Sequence, residues 1–269
     1  MNMKGKQTWV PVALTVAGSD SGGGAGVQAD LKTFAALGVH GTSAITCLTA
    51  QNPKGVQGIR ATNADFVRLQ MEAVFAEMLP GAIKTGMLFD ASIIRTVASF
   101  MRRDGCPPLI VDPVMVATSG TCLLKRNAVQ ALLAELLPMA TLVTPNIDEA
   151  QIILDRRITS LDDLRSAARD IKTRFGCAAL VKGGHLTQLE SAVDFYYDGT
   201  TELLLKAPFV KGVSTHGTGC TYSAAITAFI ALGDDMATAT SKAKEYITQA
   251  IAQSILVSGH HILNWLPGR

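Results

Sequence analysis

Short apolar runs rich in β-branched residues alternate with longer segments of helical period along the chain. Residues 12–17, 44–49, 82–85, 109–112, 141–144 and 179–182 read as buried strands. Between them, Val27, Leu31, Phe34 and Ala35 fall on one helical face. Leu161, Leu164, Ala168 and Ile171 form another, and Phe66, Leu69, Ala73 and Phe75 a looser one. A last long helix is predicted over about 236–257, with Met236, Ala239, Ala243, Tyr246, Ala250 and Ile251 inward. Such alternation predicts an α/β fold with right-handed crossovers and a mostly parallel sheet covered on both faces. Residues 192–197 and 201–206 flank Asp198-Gly199-Thr200 and predict a hairpin at an antiparallel edge.

The chain has 269 residues, with no linker, repeat or low-complexity stretch, so one domain over 11–269 behind a loose tail at 1–10 is the economical reading. Formal net charge is +2 and no block of like charges occurs, which argues against a nucleic-acid partner. No apolar run reaches 18 residues, and none behind the N-terminal lysines suits a signal peptide. The five cysteines (47, 106, 122, 177 and 220) are odd in number and lack CxxC spacing. Neither a disulfide framework nor a zinc site is expected, and a reducing, cytoplasmic location fits.

The unusual polar and glycine-rich motifs each follow a predicted strand or open a helix, and ligands of open α/β sheets bind at the carboxyl ends of strands. In His216-Gly217-Thr218-Gly219-Cys220 a glycine turn feeds a helix, so free N–H groups and the helix dipole favour an anion. Cys220 sits at that positive end, where a thiol pKa is expected to fall from about 8.5 towards neutrality. The glycine-rich loop at 18–26 is neither a Walker A loop nor a dinucleotide fingerprint, but it lets a small ligand or phosphate lie against backbone. On spacing alone Asp30 is either a solvated first-turn carboxylate or a site residue. Gln51 offers donors and an acceptor to a nitrogen heterocycle. Gly86 permits close approach, and Met87 is an adaptable wall or a core residue. Asp112 precedes a proline at a strand end, where a metal, a water or a phosphate partner fits. Asn146 and Glu149 share a helix start and suit Mg²⁺ through hard oxygens, unless they only cap. Lys182 is placed to pair with phosphate, Gly184 to admit a nucleotide, and His185 reads as structural.

Taken together, AGSDSGGGAGVQADLKTFAALGVHGTSAITCLTAQN, IKTGML, VDPVM, TPNIDEA, VKGGH and STHGTGCTYSAA resemble the hydroxymethylpyrimidine/phosphomethylpyrimidine kinases of thiamine biosynthesis, within the ribokinase-like superfamily. The resemblance runs in order from about residue 12 to 260. It implies a three-layer α/β/α sandwich around a central, mostly parallel sheet, ATP and Mg²⁺, a homodimer, and two phosphoryl transfers at one site. The first would go to the hydroxymethyl oxygen of 4-amino-5-hydroxymethyl-2-methylpyrimidine, the second to the resulting monophosphate. It implies that Gly18, Asp30, Gln51 and Met87 line the pyrimidine pocket. Asp112, Asn146, Glu149 and Lys182 would serve phosphate and metal, with Glu149 on the metal and Gly184 at the nucleotide. Gly217, Thr218 and Gly219 would form the anion hole. Cys220 stands where sugar kinases of the superfamily carry an aspartate base, and His216 or Asp112 would help to supply its thiolate character.

The alternative is a pyridoxine or pyridoxal kinase, since some relatives with the glycine–cysteine motif phosphorylate that hydroxymethyl-bearing ring. A non-catalytic binding protein would have lost the base, the acid or the glycines, and all are present. Segments 117–122 and 211–215 are candidates for closing loops. The tail HHILNWLPGR, with His260 and His261, has no assignment from sequence.

Overall fold

Alternation along each central strand sends side chains to two opposite faces. The computed structural model describes residues 9–115, 124, 126–184, 186, 190–210, 212–213 and 216–268. Nine strands form one sheet: β1 (Val12–Asp20), β2 (His40–Asn52), β3 (Gly55–Ala61), β4 (Ala82–Thr85), β5 (Leu109–Val111), β6 (Leu142–Val143), β7 (Ala178–Lys182), β8 (Ala192–Tyr197) and β9 (Glu202–Ala207). Their order is β3-β2-β1-β4-β5-β6-β7-β8-β9. Strands β2, β1, β4, β5, β6 and β7 run parallel, while β3, β8 and β9 are antiparallel additions at the two edges.

Leu14, Val16, Ile83, Leu109, Val111, Val143, Ala179 and Val181 face one helical layer. It is built by α2 (Ala64–Glu77), α3 (Ala91–Met101), α4 (Arg126–Ala131), α5 (Ile147–Leu154) and α6 (Leu161–Phe175). Ala82, Ile110, Leu142, Ala178 and Leu180 face the other layer. That layer holds α1 (Gly26–Ala36), α7 (Thr218–Ala231) and α8 (Met236–Ala252). The helix starts follow local chemistry. Asn146 and Ser160 make reciprocal capping boxes with Glu149 and Asp163, and Asp90 accepts from the N–H groups of Ser92 and Ile93.

Three expectations need correction. In α2 the buried stripe is Val67, Met71 and Val74, whose 4-then-3 spacing is the stricter helical pattern, while Phe66 and Leu69 are each 56% exposed. Strand β3 was not expected: its two glycines and polar residues disguise an edge strand held by pairing with β2 rather than by burial. The final helix stops at Ala252, because Ser258 and Gly259 take positive φ (48° and 81°) and turn the chain into a hairpin of β10 (Ile255–Val257) and β11 (His260–Ile262).

Most of the predicted 1–10 tail lies outside the described residues, as do His185, segment 117–122 and most of 211–215. From β1 the chain steps to β2 on one side and later to β4 on the other. The carboxyl ends of β1 and β4 therefore straddle the reversal, where open α/β sheets leave a crevice.

Candidate active site

The carboxyl ends of β1, β2, β4 and β7, the segments after β5 and β6, and the first turn of α7 enclose a cleft of about 170 Å³. At the end of β1, Asp20 gathers the glycine loop around its carboxylate. It accepts from the backbone N–H groups of Gly22 (2.8 Å), Gly24 (3.1 Å) and Ala25 (2.8 Å). Burial pushes this carboxyl up, but His216 and these amides outweigh it and hold it below the usual carboxylate range. Gly26 has φ of 57°, and a Cβ there would run into the carbonyl oxygen of Gly18. The loop can pack so tightly only with glycine at that position.

Gln51, Gly18 and Met87 all line the cleft. A Cβ on Gly18 would come within 2.7 Å of Cys47 Sγ and 3.3 Å of Met87 Cε, so this floor is closed to any larger residue. Gln51 Oε1 accepts from Thr49 Oγ1 at 3.2 Å, and its Nε2 lies 3.3 Å from His216 Nε2. The same His216 nitrogen is 3.3 Å from Asp20 Oδ2. The amide is thus oriented before any ligand arrives.

Asp30 neither lines the cleft nor meets water. Its side chain is fully buried, where it accepts from Thr15 Oγ1 (2.6 Å) and Lys84 Nζ (2.9 Å). The residue that reaches the cleft is Lys84. Burial acts most strongly, to lower the Lys84 pKa, but Asp30 together with Cys220 and Asp112 outweighs it and keeps the ammonium charged.

After β5, Asp112 organises a second set of polar groups in the cleft. Its Oδ1 accepts from Lys182 Nζ (3.1 Å) and its Oδ2 from Ser223 Oγ (3.1 Å). Burial lowers the Lys182 pKa, yet Asp112 and Glu149 together hold it above the ordinary lysine value. Glu149, 3% exposed, accepts from the N–H groups of Asn146 (2.9 Å) and Met115 (3.3 Å). Its carboxyl is pushed up by burial and by the nearby Asp112 charge. Asn146 is therefore the α5 cap and also lines the cleft. Gly184 is exposed, with open space around it, and stands beyond the cleft lining.

Gly217 starts α7 in the left-handed region (φ 81°), and a Cβ there would collide with the Gly24 carbonyl oxygen. The two glycine loops therefore touch. No side chain caps α7 and its first turn carries no acid, so the amides at its start keep their anion-binding character. Thr218 Oγ1 is buried without a hydrogen-bond partner, an orphan group at the same helix end. A Cβ on Gly219 would sit 3.3 Å from Lys182 Nζ, so this turn closes directly over the lysine.

Cys220 lines the cleft, but its thiol departs from expectation. Burial pushes it up to about 11 in the ligand-free protein, and the Asp112 and Asp30 charges add to that. Lys84 is the group that opposes them most strongly. Asp112 thus raises the thiol instead of relaying its proton, and His216 points its Nε2 at Asp20 and Gln51. Desolvation wins over the helix dipole here. Sequence reasoning assigned no role to Lys84, Asp20 or Ser223. The available signal was a lysine inside a four-residue buried strand, since lysine is almost never fully buried unless paired.

A model of the family described as phosphomethylpyrimidine kinase matches residues 20–264. The chain belongs to this family. A hydroxymethylpyrimidine/phosphomethylpyrimidine kinase of Rhizobium meliloti (strain 1021) is 48% identical over 90% of both chains. A crystal structure of phosphomethylpyrimidine kinase from Clostridium difficile 630 superposes with a TM-score of 0.80 at 40% identity, covering 89% of this chain and 99% of that one. The ADP complex of a Bacillus subtilis pyridoxal kinase does so with a TM-score of 0.89 at 36% identity, covering 96% and 98%. The fold is ribokinase-like.

Proposed function

We propose that the protein transfers the γ-phosphoryl group of ATP to the hydroxymethyl oxygen of 4-amino-5-hydroxymethyl-2-methylpyrimidine. It then phosphorylates the monophosphate to the diphosphate, supplying the pyrimidine half of thiamine. The observation that carries this reading is that Gln51, Cys220 and Lys182 open onto one cleft, which brings a heterocycle-recognising amide and anion-binding groups together.

The donor set suits a nucleotide triphosphate. The uncapped start of α7 and the Lys182 ammonium both line the cleft, where phosphate oxygens would lie. Among the described residues no three metal-ligating side chains cluster. Glu149, a buried hard-oxygen donor, would hold Mg²⁺ together with phosphate and water oxygens. Bound there, Mg²⁺ would neutralise charge developing on the transferred group.

The protein's own part is positioning and electrostatics, as in other phosphoryl transfers. Gln51 orients the ring by its nitrogen edge, against the floor made by Gly18 and Met87. In its thiolate form, reached once the thiol has given its own proton to water, Cys220 Sγ accepts the proton of the attacking hydroxyl, and Lys84 is the charge that favours that form. Lys182 and the Gly217–Gly219 amides steady the phosphoryl oxygens, while Asp112 holds Lys182 in place. We read residues 11–269 as one kinase domain, acting as a homodimer in the cytoplasm.

The likeness to the Bacillus subtilis pyridoxal kinase favours pyridoxine or pyridoxal as a second reading. Product mass spectrometry after incubation with ATP, Mg²⁺ and either hydroxymethylpyrimidine or pyridoxine tests both. A mono- and then a diphosphate from the pyrimidine is the expected result. Phosphate on pyridoxine alone would replace the substrate and keep the mechanism.

A further inference from the structure

None of residues 255–268 lines the cleft, yet the C-terminal segment ties together the two glycine loops that do. Its anchor is Trp265, 9% exposed and packed in the core layer of α7 and α8. The indole Nε1–H donates to Thr221 Oγ1 at 3.2 Å, and Thr221 is the fully buried neighbour of Cys220. The Trp265 carbonyl accepts from Tyr246 O–H of α8 at 2.7 Å. Lys32 of α1 places its ammonium 4.3 Å from the centre of the Trp265 ring, and the same nitrogen donates to the Gly23 carbonyl at 2.7 Å. On the cleft side, Gly217 and Gly24 pack backbone to backbone.

We propose that Trp265 is a positioning residue for the kinase reaction: from outside the cleft it fixes the Cys220 turn of α7 against the glycine loop after β1. The proposal rests on the kinase reading above. One side chain holds both partners by different chemistry, a hydrogen bond to α7 and a cation–π contact to the lysine that pins the loop. A buried indole N–H seeks a partner, and here that partner sits one residue from the proposed base. Loss of the bond frees the first turn of α7 to shift, and shifts of about 1 Å in reacting groups cost up to about 10²-fold in rate. The tail that sequence left without a purpose thus becomes part of the frame of the site.

Trp265→Phe keeps an aromatic ring but removes the N–H along with the second ring of the indole, and Thr221→Val removes the acceptor with little change of shape. Each single variant should lower kcat about fivefold or more with both KM values within about twofold, and the double variant should be no slower than the singles. Alkylation of Cys220 by iodoacetamide, followed by peptide mass spectrometry, should change about threefold or more in the same variants, with Cys106 as the unchanged internal reference. Wild-type kcat and alkylation in Trp265→Phe, even with a lower melting temperature, would overturn the proposal, and so would losses that multiply in the double variant. If the wild type phosphorylates neither ring, the kinase reading fails, while the alkylation comparison still decides the placement of Cys220.

Discussion

Lys84 Nζ and Asp30 Oδ2 meet at 2.9 Å with neither side chain reaching solvent, Asp30 lying behind the cleft that Lys84 and Cys220 line. Removing one partner strands a buried charge. Lys84→Met should cost about 3–5 kcal/mol of unfolding free energy, the range for breaking such a pair. Asp30→Leu with Lys84→Met should recover most of that loss, because two apolar groups replace two charges. Turnover should stay low in both variants, since each lacks the charge that favours the Cys220 thiolate. Urea unfolding and steady-state rates check this, and full turnover in the double variant would remove Lys84 from its assigned part.

Cys220→Ala should lower turnover by about 10²-fold or more, the range for a lost general base. The far-UV spectrum and melting temperature should change little. Wild-type turnover in this variant would show that another group takes the proton.

Buried thiols make the fold sensitive to alkali. Burial pushes Cys47, Cys177 and Cys220 up to about 11. In the unfolded chain they titrate near 8.5. Their folded values lie above the unfolded one, so their contribution is fully present below about pH 8.5 and is lost as pH rises towards 11. Each thiol should remove about 1.4 kcal/mol per pH unit within that window. Urea titrations between about pH 8 and 10 should show the decline, and Cys47→Ala/Cys177→Ala should flatten it. An unchanged slope in that variant would contradict the assignment.

Gln51→Ala should act on binding. Its amide is held by Thr49 and His216 and lines the cleft. Losing a paired polar contact costs about 1–3 kcal/mol, which predicts a KM for the pyrimidine raised roughly 5- to 150-fold. The KM for ATP should stay within about twofold. A kcat loss with both KM values unchanged would place Gln51 elsewhere in the reaction.

Gly217→Ala should uncouple the two glycine loops. The new methyl meets the Gly24 carbonyl at a backbone φ of 81°. Strain at such a position costs about 1–3 kcal/mol. Nucleotide-induced thermal stabilisation should vanish along with turnover, and retention of both would show that the contact is dispensable.

The central strands were legible because burial on both faces turns them into near-continuous apolar runs such as Ala178–Lys182. Edge strand β3 was not, since its glycines and polar side chains carry no period. The motif residues of the cleft were legible as types, among them Gln51, Lys182 and the Gly217–Cys220 turn. The setting of each was not. Asp30 and Lys84 are 54 residues apart, and nothing local announces that they pair. The thiol of Cys220 was misjudged for the same reason: the dipole of its own helix is local information, whereas desolvation and the Asp112 and Asp30 charges come from other strands and helices.

The contact between His216 and Asp20 spans 196 residues of chain, and Lys182 reaches Asp112 across 70. Closing such loops costs chain entropy that only the packing of the intervening strands and helices can offset. During synthesis the glycine loop after β1 therefore waits, complete in sequence but without its partner, until α7 has emerged. Competence for chemistry then arrives in a single late event, and no N-terminal fragment that stops short of His216 should show a trace of it.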